Sequence, residues 1–206
     1  FATLKTFGVV LVMAIVMHWL WLSLLFIGTG LALGRSPAML IKNMLPAYFT
    51  ALGTMSSAAT IPVALQASKN NGVSDGIANF TVPLCATIHL CGSTITLVTC
   101  ATAVMFLSEH LAIPGYGTML PFIMMLGVIM IAAPGAPGGG VMSALGLLTS
   151  MLGFGEASIA LMIALYLAQD SFGTACNVTG DGVIALWADR FAQSEAPMAA
   201  PERDAA

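Results

Sequence analysis

Apolar positions in this chain come in long blocks, and polar positions cluster in the breaks between them. Phe7–Leu33 is nearly unbroken hydrophobic sequence in which His18, Trp19 and Trp21 are the only bulky polar or amphipathic members. About 20 such residues cross a bilayer, so one spanning helix is predicted at 7–33, with His18–Trp21 as an interfacial anchor or lipid-facing patch. Residues 37–67 are long enough to cross, but their middle reads Thr54-Met-Ser-Ser-Ala-Ala-Thr-Ile-Pro62. A hydroxyl-rich break with a proline there, and basic residues at both ends (Arg35 and Lys42 before, Lys69 after), predict a hairpin that enters and leaves on the cytoplasmic side. A kinked spanning helix is the alternative.

The theme then recurs. Residues 77–107 form a span broken at His89-Leu-Cys91-Gly-Ser-Thr94, followed by a loop with Glu109 and His110 but no Lys or Arg. Residues 117–152 read as a second hairpin whose tip, Ala132-Ala-Pro134-Gly-Ala-Pro137-Gly-Gly-Gly140, no continuous helix accommodates. The loop after it again lacks basic residues, so this hairpin is placed on the outer side. A last broken span covers 156–189, and Arg190 puts its end inside. The acidic, Ala/Pro-rich residues 193–206 are expected to form a disordered cytoplasmic tail. The fold class expected is all-α integral membrane: an inverted repeat with two re-entrant hairpins and two discontinuous spans, the architecture of secondary transporters.

The last span carries the sharpest chemistry. Each helical residue turns about 100°, so Asp181 lies about 20° from Asp170, Asn177 about 20° to the other side and Thr174 about 40° away. Two carboxylates, an amide and a hydroxyl thus share one stripe. An aspartate at bilayer depth costs on the order of 3 kcal/mol, so such groups face a protein interior or wet cavity and handle a substrate or ion. The bland alternative is a polar stripe that joins helices.

Composition agrees with a membrane protein: 58% hydrophobic, 7% charged and a mean hydropathy of +0.95, where soluble domains carry about 25% charged residues. A net charge of −3 gives no reason to expect a nucleic-acid partner. The four cysteines, Cys85, Cys91, Cys100 and Cys176, match no CxxC spacing and read as buried thiols. The chain opens on Phe1 without a leader pattern, and reads as part of a longer protein. No nucleophile–base pairing points to an enzyme.

Four motifs then resemble the dicarboxylate/amino acid:cation symporters, which include glutamate and neutral amino acid transporters. They are Ser56-Ser-Ala-Ala-Thr-Ile-Pro62, Ala86-Thr-Ile-His-Leu-Cys-Gly-Ser93, Gly135-Ala-Pro-Gly138, and Asp170 through Asn177-Val-Thr-Gly-Asp181. The resemblance covers Phe7–Arg190 and implies a partial transport domain at 1–192. It also implies an elevator mechanism, a homotrimer formed through an absent amino-terminal scaffold half, and a multi-pass location in the cell membrane. By the same resemblance Asp170 binds a substrate amino group, Asn177 the α-carboxylate and Thr174 lies beside it. Ser56, Ser57, Gly135, Ala136, Pro137 and Gly138 complete the cradle. Asp181 is a sodium ligand, assisted by backbone oxygens of Cys85, His89 and Asn177.

This chain departs from that family in three places. Gly173 stands where acidic-substrate members have an arginine, which disfavours dicarboxylates, because an unpaired carboxylate in a dry site is penalised. It also leaves room for a larger side chain. His89-Leu90-Cys91 replaces Asn-Met-Asp, which weakens one ion site, and Tyr166 replaces an aspartate. His89 is either a proton carrier or a neutral substitute for the family asparagine. The reading is a sodium-coupled symporter of a small neutral amino acid such as serine, threonine or alanine. The alternatives are a dicarboxylate or cystine-like substrate, proton coupling, or a membrane sensor that binds an amino acid without moving it.

Overall fold

The structure, a computed structural model, describes residues 2–195. Within them the chain forms nine α-helices and no strand: α1 (Ala2–Leu33), α2 (Pro37–Thr54), α3 (Ser57–Asn70), α4 (Asp75–Ile88), α5 (Cys91–Leu107), α6 (Tyr116–Met130), α7 (Gly139–Leu152), α8 (Glu156–Leu167) and α9 (Asp170–Glu195). The all-helical expectation holds. Among the described residues, Thr6–Leu33 and the α4–α5 stretch Asp75–Leu107 are long and apolar enough to cross a membrane. The bent pair α8–α9 makes a third candidate.

The breaks follow from local chemistry. Ser36 caps α2 by accepting from the Met39 N–H, with Pro37 at the first helical position, where its missing N–H costs nothing. α2 ends at Met55, whose φ of 51° is the left-handed conformation that stops a helix. Ser56 then caps α3 through the Ala59 N–H. The break is therefore only Met55–Ser56, shorter than the hydroxyl-rich stretch suggested, and Pro62 lies inside α3. The second tip is longer and ends at Gly138, φ 74°, whose conformation favours glycine. The α8–α9 pair breaks at Ala168–Gln169 with a bend of 59°, just ahead of Asp170, so the stripe itself lies on continuous helix. α9 runs to Glu195, so residues 193–195 of the expected tail are helical, and 196–206 lie outside the described residues.

Two apolar cores hold the bundle. One, from Leu22 and Phe26 through Met44 and Val82 to Val178 and Leu186, joins α1–α4 to α9. The other, including Leu97, Phe122, Val141, Leu148 and Met162, joins α5–α8. α9 packs against every helix from α1 to α5, so its polar stripe is enclosed by them. His18 corrects the reading of an interfacial patch. It is 1% exposed, and its Nε2–H donates to the Gly92 carbonyl at 3.0 Å, with the Thr96 hydroxyl 3.1 Å from the same nitrogen. Trp19 packs against Tyr48 with the two rings tilted by 41°, and Trp21 remains outward.

Candidate binding site

The α9 stripe is buried along its length, with Asp170, Thr174, Asn177 and Asp181 each no more than 4% exposed. Its members reach different neighbours. Asp170 Oδ2 accepts the Gly138 N–H at 2.7 Å, tying the second tip to the start of α9. The Tyr166 hydroxyl lies against the same carboxylate. One turn along, the Thr174 side chain also faces Asp170.

Asn177 solves a packing problem. α5 restarts within the protein at Leu90, which has no side-chain acceptor for the free N–H groups of the first turn. Asn177 Oδ1 supplies it from α9, accepting from Gly92 N at 2.7 Å and Ser93 N at 3.1 Å, while its Nδ2 donates to Ser93 Oγ at 2.8 Å. The residue expected to hold a substrate carboxylate is thus also the cap of α5. Its amide has two N–H donors, so one remains for the cavity.

The two tips touch. Ser56 Oγ donates to the Gly135 carbonyl at 2.8 Å and the Ala58 N–H donates to the same oxygen at 3.2 Å. Between the tips and α9 lies a cavity whose walls include Ser57, Gly135, Ala136, Asp170, Thr174 and Asn177. Met55, Leu90, Ser93, Pro134, Gly140 and Tyr166 complete it. Its free volume is about 10 Å³, at the lower limit for a single water molecule. Among the described residues, Asp170 is the one charged residue in the lining, and no cationic side chain joins it there.

Of the sequence-chosen residues, Ser56 and Gly138 act at the edge through the bonds just described, and Pro137 is not on the wall. Gly173 is not on it either. A Cβ there would meet Thr96 Oγ at 2.9 Å and the Gly92 backbone at 3.4 Å. Its missing side chain lets α5 and α9 touch and gives the cavity no extra room. Tyr166 was singled out only as a departure from a motif; its place at i−4 from Asp170 on a helical count was the available signal. Leu90, Ser93 and Met55 lie within the breaks and motifs read from the sequence, but nothing there marks them as wall residues.

Asp181, Cys85 and His89 form a second group on the far side of Asn177. The His89 Nδ1–H donates to Asp181 Oδ1 at 2.8 Å, and the Cys85 carbonyl accepts the His89 N–H at 2.9 Å, closing α4. Asp181 is the one ionisable oxygen donor of the expected sodium set, and a histidine already holds one of its oxygens. Among the described residues, no three His, Cys, Asp or Glu side chains converge as a metal site.

Comparison with known proteins matches residues 1–191 to the sodium:dicarboxylate symporter family. Individual relatives include excitatory amino acid transporter 1 of Rattus norvegicus, 32% identical over 151 residues (72% of this chain, 27% of that protein). Excitatory amino acid transporter 5 of Homo sapiens is 30% identical over 152 residues (73% and 27%). An excitatory amino acid transporter of Caenorhabditis elegans is 29% identical over 154 residues (72% and 29%). The chain thus spans less than a third of the length of these relatives.

Proposed function

The chain belongs to the sodium:dicarboxylate symporter family, and on that premise we propose that it carries the binding site of a cation-coupled symporter for a small neutral amino acid. The observation that carries the reading is the cavity's charge. One carboxylate, Asp170, faces it without a cationic partner. An ammonium group satisfies such a carboxylate through a charge-assisted hydrogen bond. A second carboxylate on the substrate would stay unpaired among Met55, Leu90, Pro134 and Ala136. The relatives' printed names speak of excitatory amino acid transport and the family's of dicarboxylates. The lining favours a substrate without the second acid.

In this reading the α-carboxylate takes the spare Asn177 N–H and the donors around Ser57, and the ammonium takes Asp170. At about 10 Å³ the cavity admits no amino acid, so loading requires the tips to part. Three bonds open with them: Ser56 to Gly135, Ala58 to Gly135, and Gly138 to Asp170. The α2–α3 and α6–α7 pairs would act as re-entrant hairpins within a domain that moves as an elevator. The domain would sit against a scaffold contributed by a homotrimer in the cell membrane, with the carboxy terminus cytoplasmic. Sodium is the coupling ion, held by Asp181 with carbonyl oxygens near Cys85, His89 and Asn177. Coupling is reciprocal: sodium tightens substrate binding by the factor by which substrate tightens sodium binding.

One observation favours a second reading. The His89–Asp181 bond occupies the acid that sodium needs, so a proton carried on His89 is the alternative coupling ion. The deciding experiment is uptake of labelled serine by the full-length protein in proteoliposomes, driven by a sodium gradient or by a pH gradient alone. Unlabelled alanine, aspartate and succinate serve as competitors. Uptake that responds to neither gradient would end the coupled reading, and binding without counterflow would make the protein a sensor.

A further inference from the structure

We propose that the seam between the end of α1 and the last turns of α9 binds a phosphate group whose negative charge no cation of the same ligand offsets, carried by an anionic lipid or free in solution. A cavity of about 210 Å³ opens there, lined by Arg35, Asp189, Arg190 and Gln193 with the apolar Leu33 and Leu186 behind them. Its charges are not balanced internally. Asp189 is its one carboxylate, and both oxygens are engaged: Oδ1 accepts the Ser74 N–H at 3.0 Å and Oδ2 the Gln193 amide at 2.6 Å. Those bonds pin the α3–α4 turn to α9 and leave neither arginine in an ion pair.

The two guanidinium groups are placed differently. Arg35 is held from one side, where its Nη1–H donates to the Asn71 carbonyl. Asn71 is in turn fixed by bonds to Leu40 O and Asn43. A guanidinium has five N–H donors, so most of this fork stays available in a preset position. Arg190, on α9, makes no hydrogen bond or ion pair with any described residue and is exposed. Two planar forks converging on one polar cavity match the oxygens of a phosphate better than any single-point ligand.

The surroundings favour a lipid as the carrier, on the membrane reading above. Four of the six Lys and Arg residues (Arg35, Lys42, Lys69 and Arg190) gather at this end of the bundle. Lys69 is paired with Asp75. Basic pockets between membrane helices select anionic headgroups. One turn into the bundle, the Trp187 indole N–H donates to Thr29 Oγ1 and the ring stacks against Phe191. Phe191 and Leu31 are 61% and 75% exposed beside the seam, apolar surface for acyl chains.

The test is native mass spectrometry of the full-length protein in detergent, titrated with phosphatidylglycerol or phosphatidylcholine of identical chains. Phosphatidylglycerol should be retained in preference. Arg190→Gln, which removes no internal bond, should weaken it by roughly fivefold, and Lys42→Gln, at the same end but outside the cavity, should leave it unchanged. Equal retention of the two lipids, or equal loss in both variants, overturns the proposal while leaving the transport reading intact. Millimolar inorganic phosphate separates the sources: displacement of the lipid makes the free anion a ligand of the same site, and no displacement makes the lipid the ligand.

Discussion

The close approach beneath the site, between Gly92 on α5 and Gly173 on α9, can be tested with one methyl group. A Cβ built on Gly92 would collide with the Gly173 carbonyl and the Cys176 Cβ, and would lie 3.1 Å from the Cys176 sulfur. The first obstacle is backbone and cannot rotate aside, so Gly92→Ala forces the helices apart by roughly 1 Å to restore ordinary contact. Overpacking of this kind costs about 1–3 kcal/mol. The same displacement pulls Gly92 N and Ser93 N from Asn177 Oδ1, where they sit at 2.7 and 3.1 Å. One buried N–H left without its acceptor adds about 1–3 kcal/mol. The sum is about 2–6 kcal/mol, which lowers the melting temperature of a chain this size by roughly 4–24 °C. Gly146 is the control. It lies inside α7 with nothing within 4 Å of a new Cβ, so Gly146→Ala should stabilise by about 0.5–1 kcal/mol. Thermal unfolding in detergent, followed by intrinsic fluorescence, compares the three proteins. Coincident melting of wild type and Gly92→Ala would refute the close contact and the capping of α5 with it.

Asp170→Asn keeps an acceptor for the Gly138 N–H but removes the charge, so serine affinity should fall by roughly 10- to 100-fold with little change in melting. Isothermal titration checks it, and unchanged affinity would remove Asp170 from the substrate site. Tyr166→Phe deletes the hydroxyl beside that carboxylate and should weaken binding about tenfold without creating a cavity; an unaltered KM for uptake would count against its role. His89→Asn frees Asp181 Oδ1, so the sodium concentration needed for half-maximal serine binding should drop. Should it rise or stay level, the histidine does not compete with the ion.

Much of the fold was legible because each signal was local. Apolar runs and the glycine-rich second tip mark helices and stops from neighbours a few residues away. The Asp170–Asp181 stripe follows from helical periodicity alone, and the structure keeps it on one continuous helix. The break between α2 and α3 was overestimated because Thr60 and Pro62 look like breakers. Inside α3, Thr60 Oγ1 instead donates to the Ser56 carbonyl at 2.8 Å.

What periodicity cannot supply is the partner on another helix. The sequence shows that Asn177 shares a face with Asp170, whereas only packing reveals that its oxygen caps α5, 84 and 85 positions away in the chain. Gly173 looked like room for a substrate side chain and is instead room for Thr96 and the Gly92 backbone. His18 looked peripheral on a hydrophobic helix and is buried against α5. Helix geometry is set by bonds four residues apart and so is written in short-range order. The neighbours of a buried polar group are set by which helices pack together, and that is decided only when the bundle assembles.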